Sequence, residues 1–131
     1  MKTLVPLMLS RVHAGFPSPA DDYLDQSLDL QEYLIPKPAA TFLARAQGDS
    51  MKGHGIFDGD ILIVDRSLKP RHGDIVVAVI DGEFACKALD IHRRELLSGN
   101  PDYPPIKFGN IGELVIEGVV TNSIRIHRCS R

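Results

Sequence analysis

Ser50 is the first residue whose setting indicates chemistry. It lies in a turn rich in glycine and aspartate, GDSMKGHGIFDGD (residues 48–60), directly before the apolar run ILIV. Such a turn can expose a hydroxyl in the way that enzymes expose a nucleophile. It can also leave backbone N–H groups free to stabilise the oxyanion that forms when a hydroxyl attacks a carbonyl. No histidine–aspartate pair is evident nearby, and the short pattern alone is more typical of turn chemistry. A catalytic role for Ser50 therefore requires a base from elsewhere in the chain.

Lys87 is the candidate base, since a predicted hairpin gives it an apolar setting. The segment DIVVAVIDGEFACKALDI (residues 74–91) contains Asp81-Gly82, a dipeptide typical of two-residue hairpin loops. With that loop, Lys87 shares a sheet face with four aliphatic side chains: Val76, Ala78, Ala85 and Leu89. An amine in these surroundings is poorly solvated, so its pKa falls below the ordinary value of about 10.4. The neutral amine can then accept the Ser50 proton, as in Ser-Lys dyads.

The residues by themselves leave two alternatives open. A lysine in a strand usually points to solvent or protects a sheet edge, so Lys87 need not be a base. Pattern alone therefore indicates either a small β-rich domain without activity or a Ser/Lys hydrolase.

Composition argues against other kinds of site. Cys86 and Cys129 are too few for a disulfide framework and form no CxxC pair. Cys86 points to the sheet face opposite Lys87 and is predicted to serve packing. The histidines show no ligand spacing, so neither a metal nor another cofactor is predicted; they are His13, His54, His72, His92 and His127. The net charge of −2 argues against a surface that follows nucleic-acid phosphates.

Short strands at close intervals dominate the chain from Thr41 onwards. TFLARAQ (residues 41–47) alternates, with Phe42, Ala44 and Ala46 on one face, and DILIVD (residues 60–65) is a run typical of a strand buried on both sides. Further strands are predicted in RELLSGNPDYPPIKF, around a Pro/Asn turn, and in ELVIEGVVTNSIRI. The pattern predicts an all-β catalytic domain over residues 41–131, compact and barrel-like.

Residues 1–40 are predicted to form an extended N-terminal arm. They contain five of the nine prolines, and each proline restricts its own backbone and that of the preceding residue. Within the arm, DDYLDQSLDLQEYLI (residues 21–35) predicts a short helix capped by Asp21 or Asp22, with Leu24, Leu28 and Ile35 on one side. The arm contains no helix-turn-helix pattern, which argues against sequence-specific DNA binding.

The first residues, MKTLVPLMLSRVHAG, imitate a secretory signal with a small-residue cleavage site. Pro6 interrupts the apolar stretch, however, and Arg11 separates it from that site. The sequence also has no run near the roughly 20 apolar residues of a membrane span. We therefore expect a cytoplasmic protein without a membrane association.

Four segments together resemble the LexA/UmuD family of self-cleaving proteins. They are GDSM with Ser50, DGDILIVD, HGDIVVAVIDGEFACKAL with Lys87, and AGFPSPADDYLDQSLDLQEYLI in the arm. The resemblance covers roughly residues 12–126 and is closest to the UmuD branch, the accessory subunits of error-prone polymerases. One departure is the segment before Gly15, which has only fourteen residues and is interrupted by proline.

The resemblance implies a nucleophile at Ser50, a general base at Lys87 and a scissile bond between Ala14 and Gly15. It further implies that a RecA filament on single-stranded DNA acts as co-protease during the SOS response. The shortened chain would then form a homodimer and join the catalytic subunit of an error-prone polymerase for synthesis across lesions. Small residues at the cut agree with this role, because they let a hydroxyl approach the carbonyl closely.

Three rival functions follow from the same residues. A type I signal peptidase also uses serine and lysine, but it needs a membrane anchor. A LexA-type or phage-type repressor needs a DNA-reading domain. A catalytically inactive β-module that only binds a polymerase would keep the fold without using Ser50.

Overall fold

The structure is a computed structural model that describes residues 2–8, 11–16 and 26–128. The chain divides into two compact units, Met1–Pro36 and Lys37–Arg131, each defined by the contacts within it. Within the described residues, none of the helices has the length or apolarity needed to cross a bilayer.

The first unit contains a two-stranded antiparallel sheet and one short helix. Strand β1 (Leu4–Leu7) pairs with β2 (Gln26–Asp29), and helix α1 (Leu30–Leu34) follows β2 directly. Pro6 pairs with Ser27, and both strands of such a sheet are edge strands, the position in which proline is usually found within sheets.

The predicted helix over residues 21–35 is wrong in its extent. Residues Gln26–Asp29 pair with β1 as a strand, and only Leu30–Leu34 are helical. The Asp29 side chain is the N-cap and accepts a hydrogen bond from the Glu32 amide at 3.1 Å. Pairing with β1 supplies the backbone hydrogen bonds that a longer helix would have supplied, so the local pattern is overridden. The predicted caps Asp21 and Asp22 lie outside the described residues.

The second unit is a seven-stranded antiparallel sheet. Its strands are β3 (Thr41–Arg45), β4 (Ile61–Asp65), β5 (Ile75–Ile80), β6 (Glu83–Asp90), β7 (Glu95–Leu97), β8 (Ile106–Lys107) and β9 (Leu114–Ile124). Their order across the sheet is β3-β4-β9-β5-β6-β7-β8. Three short 3₁₀ helices, Pro38–Ala40, Lys52–His54 and Phe108–Asn110, complete the regular structure.

The mainly β fold is confirmed, but the barrel-like closure is wrong. Strands β3 and β8 lie at opposite edges of the sheet and do not pair with each other. Strand β8 has only two residues, so it offers too few backbone hydrogen bonds to pair with β3 and close a barrel. The sheet therefore stays open.

The hairpin that places Lys87 has the predicted register. Ile80 pairs with Glu83 and Val76 with Lys87. Asp81 and Gly82 have φ angles of 48° and 86°, the pair of positive values that a type I′ turn requires. The two-residue loop therefore fixes which face of β6 carries the amine.

The main core lies on one face of the sheet. Leu62, Val64, Val77 and Ala88 pack there with Met51 and Ile56, and Phe42, Ala44 and Ala46 join them from the first edge strand, as the alternation predicted. Val76 and Ala78 are fully buried on the other face of β5. Sheet burial on both sides explains why β4 and β5 are continuous apolar runs.

Gly118 marks the closest approach within the sheet. A Cβ built there lies 2.6 Å from Val64 Cγ1 and 3.1 Å from the Asp65 carbonyl oxygen. Val64 is itself completely buried, so it has no space into which to move. We predict that Gly118→Ala lowers the free energy of unfolding by about 1–3 kcal/mol, the usual cost of overpacking.

Urea unfolding measures this change, with Gly109→Ala as the control. A Cβ added at Gly109 would meet open space among the described residues, and the φ of Gly109 is not in the left-handed region. Equal stability of the Gly118→Ala variant and the unsubstituted chain would contradict the packing described for β9.

Candidate active site

A cleft of about 550 Å³ in the second unit is lined by both predicted catalytic residues. Ser50 reaches it from the turn that precedes β4, and Lys87 reaches it from β6. Its other walls are mainly apolar and include Phe42, Ala44 and Met51. The structure therefore brings together two residues that lie 37 positions apart in the sequence.

The Ser50 turn is anchored on both sides of the serine. Met51 inserts into the main core with only 3% of its surface exposed. Before Ser50, Gly48 adopts a φ of 85° and its amide donates to Asp58 Oδ1 at 2.8 Å. These contacts explain why a Gly/Asp-rich sequence is required around a residue that lies next to the core.

The segment after β7 holds the Ser50 turn from the other side. The Gly99 amide donates to the Ser50 carbonyl oxygen at 2.6 Å, and the Gly53 amide donates to the Gly99 carbonyl oxygen at 2.7 Å. The buried Asn100 side chain donates to the Asp49 carbonyl oxygen at 3.2 Å. A Cβ at Gly53 would collide with the Gly99 carbonyl, so this approach depends on glycine. Sequence reasoning did not identify any of these three contributors.

An ion pair between buried Asp60 and exposed Arg125 fixes the far end of the turn. Both Asp60 carboxylate oxygens accept hydrogen bonds from Arg125, each at 3.0 Å, and Oδ2 also accepts from the Phe57 amide at 2.9 Å. The Arg125 bonds, with the Phe57 amide, hold the pKa of Asp60 below its usual value despite burial. Arg125 also lies 4.0 Å above the Phe57 ring and donates to the Gly55 carbonyl. The residue that follows β9 thus holds the turn against the sheet.

Two backbone amides at Ser50 are available for an oxyanion. The backbone N–H groups of Asp49 and Ser50 donate to no other residue of the described part of the chain. A tetrahedral intermediate on Ser50 would find donors of the type that stabilise its negative oxygen.

Lys87 has the predicted apolar surroundings. Its side chain is 9% exposed, and it shares its face with buried Val76, Ala78 and Leu89. Burial lowers the pKa of its amine, with a smaller opposing effect from the neighbouring Cys86. None of the ion pairs found among the described residues involves Lys87. In that part of the chain, therefore, no carboxylate directly contacts the Lys87 amine to compensate the charge of its ammonium form.

The Lys87 amine binds a residue other than Ser50. Its Nζ donates to Ser98 Oγ at 2.7 Å and lies 5.6 Å from the centre of the Tyr103 ring. Among the described residues, no hydrogen bond joins it to Ser50. A Ser-Lys dyad requires the amine to turn within the cleft or to share its contacts between the two hydroxyl groups.

Cys86 packs as its position on the strand predicts. It pairs with Val77, lies against the main core and is half-buried. Burial raises the pKa of its thiol to about 11, which makes the thiolate scarce at neutral pH. Although Cys86 also borders the cleft, a thiol in this state is a poor nucleophile.

Ala14 and Gly15 belong to the first unit. Both are exposed residues of a bend, and a Cβ added at Gly15 would meet open space among the described residues. Local packing therefore gives no reason for glycine at this position. Among the described residues, no three His, Cys, Asp or Glu side chains gather as metal ligands would.

The buried amine yields a stability prediction. Since its pKa is lowered in the folded chain, the unfolded chain binds more protons between that pKa and the ordinary value, so stability rises with pH in this window. We predict that Lys87→Met raises the free energy of unfolding at pH 7, by about 1.4 kcal/mol for each unit by which the pKa is lowered. This advantage should shrink as pH approaches about 10.4.

Urea unfolding from pH 6 to pH 10 measures the advantage in a Ser50→Ala background, which prevents interference from self-cleavage. Lys107→Met replaces an exposed lysine and serves as the control, with no comparable gain expected. A gain that does not depend on pH in this window would show that Lys87 is not held at a lowered pKa.

Comparison with known proteins places this chain in a family. The model of the family described as Peptidase S24-like matches residues 6–121. Protein ImpA of Salmonella typhimurium is 50% identical over 119 residues, which cover 91% of this chain and 82% of ImpA. Protein MucA of Escherichia coli is 46% identical over 125 residues, covering 94% and 86% of the two chains. The LexA repressor of Xylella fastidiosa is 42% identical over 123 residues, covering 92% of this chain and 58% of the repressor.

Proposed function

Because this chain belongs to the Peptidase S24-like family, we propose that it is a serine peptidase that cleaves its own N-terminal arm between Ala14 and Gly15. Ser50 is the nucleophile and Lys87 the general base. The resemblance to the LexA/UmuD family, with the UmuD branch nearest, is confirmed by the matches. The proposal adds to that family membership the residues and the bond on which the chemistry depends.

One observation carries the proposal: a buried lysine with a lowered pKa borders the same cleft as a serine on a tightly held turn. A structural lysine would more commonly be solvated or paired with a carboxylate. Perturbed amines in clefts are typical of catalytic bases, because a neutral fraction must exist at working pH.

The reaction follows from these groups. The neutral Lys87 amine accepts the Ser50 proton while the oxygen attacks the Ala14 carbonyl carbon, and the Asp49 and Ser50 amides stabilise the oxyanion. When the intermediate collapses, the carbon–nitrogen bond breaks, and the Lys87 ammonium donates its proton to the Gly15 amine. The Ser50 ester that remains is hydrolysed by a water molecule that Lys87 deprotonates. Ala14 leaves as a carboxylic acid, and Ser50 regains its proton.

The Lys87 base predicts a pH-dependent rate. The neutral fraction of the amine grows as pH rises, so slow self-cleavage of the purified chain should accelerate toward pH 9–10 and level off above the pKa. Gel densitometry from pH 6 to pH 10, with mass spectrometry of the fragment that begins at Gly15, measures the rate. A flat profile over that range would count against a lysine base.

Three substitutions test the assigned roles. Ser50→Ala and Lys87→Ala should each reduce cleavage below detection while circular dichroism remains that of a folded chain. Cys86→Ala is the matched control beside the base and should cut at a rate within about threefold of the unsubstituted chain. Wild-type cutting by either of the first two variants would refute the dyad.

The proposed trigger is a RecA filament on single-stranded DNA, as in the SOS response that the resemblance implies. We expect the filament to accelerate cleavage at pH 7.4 by stabilising the arrangement in which the Lys87 amine reaches Ser50. RecA with nucleotide but without DNA is the control. A filament that binds the chain yet leaves the rate unchanged would remove RecA from the proposal.

After cleavage, the shortened chain is proposed to form a homodimer that joins the catalytic subunit of an error-prone polymerase in the cytoplasm, as part of SOS mutagenesis. High coverage of both chains in the ImpA and MucA matches supports this branch over a repressor, since LexA is matched over only 58% of its length.

A second candidate is an inactive module that only binds the polymerase. The observation in its favour is that Lys87 binds Ser98 and not Ser50. Failure of the chain to cut at any pH, with or without the filament, would favour this candidate.

A further inference from the structure

Ser98 is the hydroxyl group that the Lys87 amine contacts, and its position is set by the sheet. Strands β6 and β7 pair through Ala88 and Leu97, so the next step of the same register places Ser98 opposite Lys87. Strand β7 ends at Leu97, and Ser98 is half-buried where the chain leaves the sheet. Its hydroxyl lies 2.7 Å from Nζ.

The backbone beside Ser98 is bound to the turn that carries the nucleophile. Gly99 donates to the Ser50 carbonyl oxygen at 2.6 Å and accepts from the Gly53 amide at 2.7 Å. Tyr103, from the same segment, donates to Asp49 Oδ1 at 3.2 Å while its ring lies near Nζ. Residues 98–103 thus contact the base and the nucleophile turn at once.

Resting on the proposed function, we infer that Ser98 is a positioning residue that holds the Lys87 amine beside the Ser50 turn in both of its protonation states. A hydroxyl accepts a hydrogen bond from an ammonium group and donates one to a neutral amine, which a carboxylate or a backbone amide cannot do. A carboxylate would also keep the lysine charged. Serine therefore orients the base without abolishing its basicity.

The side chain of Lys87 needs such a partner. Its four-carbon stem has many rotamers, and the apolar residues around the stem provide no hydrogen bond that would select one. Among the described residues, Ser98 is the hydrogen-bond partner of Nζ. Removal of that partner should leave the amine in several orientations, of which few reach Ser50.

The expected effect on catalysis has two parts. In Ser98→Ala, the plateau rate of self-cleavage should fall roughly 10- to 100-fold, because misplacement of a catalytic group is costly. The pH midpoint should also move to a lower value, since the ammonium form loses an acceptor in an apolar setting. A variant that merely loosens the fold would lower the rate without that movement.

Other groups near the amine must be held constant in this comparison. Cys86 lies on the same strand, Tyr103 on the segment after β7, and Asp49 on the Ser50 turn, where it accepts from Tyr103. Ser98→Ala leaves all three in place. A change in the midpoint of the pH–rate profile should therefore result from the loss of the Ser98 hydroxyl.

Two variants accompany Ser98→Ala in the full-length chain. Ser98→Thr keeps the hydroxyl and should retain the rate within about threefold and the midpoint unchanged. Ser123→Ala removes an exposed hydroxyl on β9 and should behave as the unsubstituted chain. If Ser98→Ala does not fold, Ser98→Cys keeps the size but offers only a weak hydrogen-bond partner, and the same two changes are expected.

A second readout is independent of cleavage. In a Ser50→Ala chain, nuclear magnetic resonance titration of the Lys87 side chain should show a lower pKa when Ser98 is replaced by alanine. Loss of cutting in the unsubstituted chain would overturn the proposed function but leave this titration informative. An unchanged Lys87 titration, or an unchanged rate and midpoint in an active Ser98→Ala chain, would overturn the role of Ser98.

Discussion

The amine of Lys87 sits in an apolar part of the sheet, and this placement constrains much of the second unit. Burial penalises the ammonium form, and the structure offers a single hydroxyl in compensation among the described residues. Such a penalty persists only where the surrounding structure fixes the backbone that carries the side chain. Strands β5 and β6, joined by a two-residue turn and buried on both faces near Lys87, meet that requirement.

Ser50 is constrained by a different kind of contact. Ser50 sits on a turn whose form depends on close backbone approach at Gly53 and Gly99, on the core anchor Met51, and on the ion pair between Asp60 and Arg125. These contacts join the turn to the segment after β7, to the main core and to the residue after β9. Several segments of the second unit therefore fix the Ser50 turn, while the β5–β6 hairpin fixes the backbone of Lys87. Their relative position depends on residues 98–103, which contact both.

The sequence predicted the local part of this arrangement. The Asp81-Gly82 turn specifies the register of the hairpin, and a strand's two-residue period then specifies the face of Lys87 and of Cys86. The roles of Ser98, Asn100 and Arg125 were not predictable in this way. Asn100 and Arg125 bind residues 51 and 65 positions away, and no local pattern encodes a contact of that kind.

The errors have the same physical origin. The apolar spacing of residues 21–35 fits a helix, but β1 supplies a partner strand that takes Gln26–Asp29. Seven short strands also fit a barrel, yet closure depends on edge strands whose lengths a pattern does not fix. The local sequence pattern predicted the structure correctly only where no distant segment competed for the same backbone hydrogen bonds.

Under the proposed function, the substrate is the chain's own arm and the activator is a RecA filament, and the contact between Lys87 and Ser98 then bears on how cleavage is restrained. A tethered substrate has a high effective concentration, so restraint must come from the catalytic groups or from the arm's access to them. When the competent arrangement is a minor population, the cleavage rate is only that fraction of its maximum. The most that an activator can achieve is to restore the maximal rate. A filament that stabilises the competent arrangement therefore needs no catalytic group of its own. The hydrogen bond between Lys87 and Ser98 raises that fraction, because it keeps the amine beside the Ser50 turn.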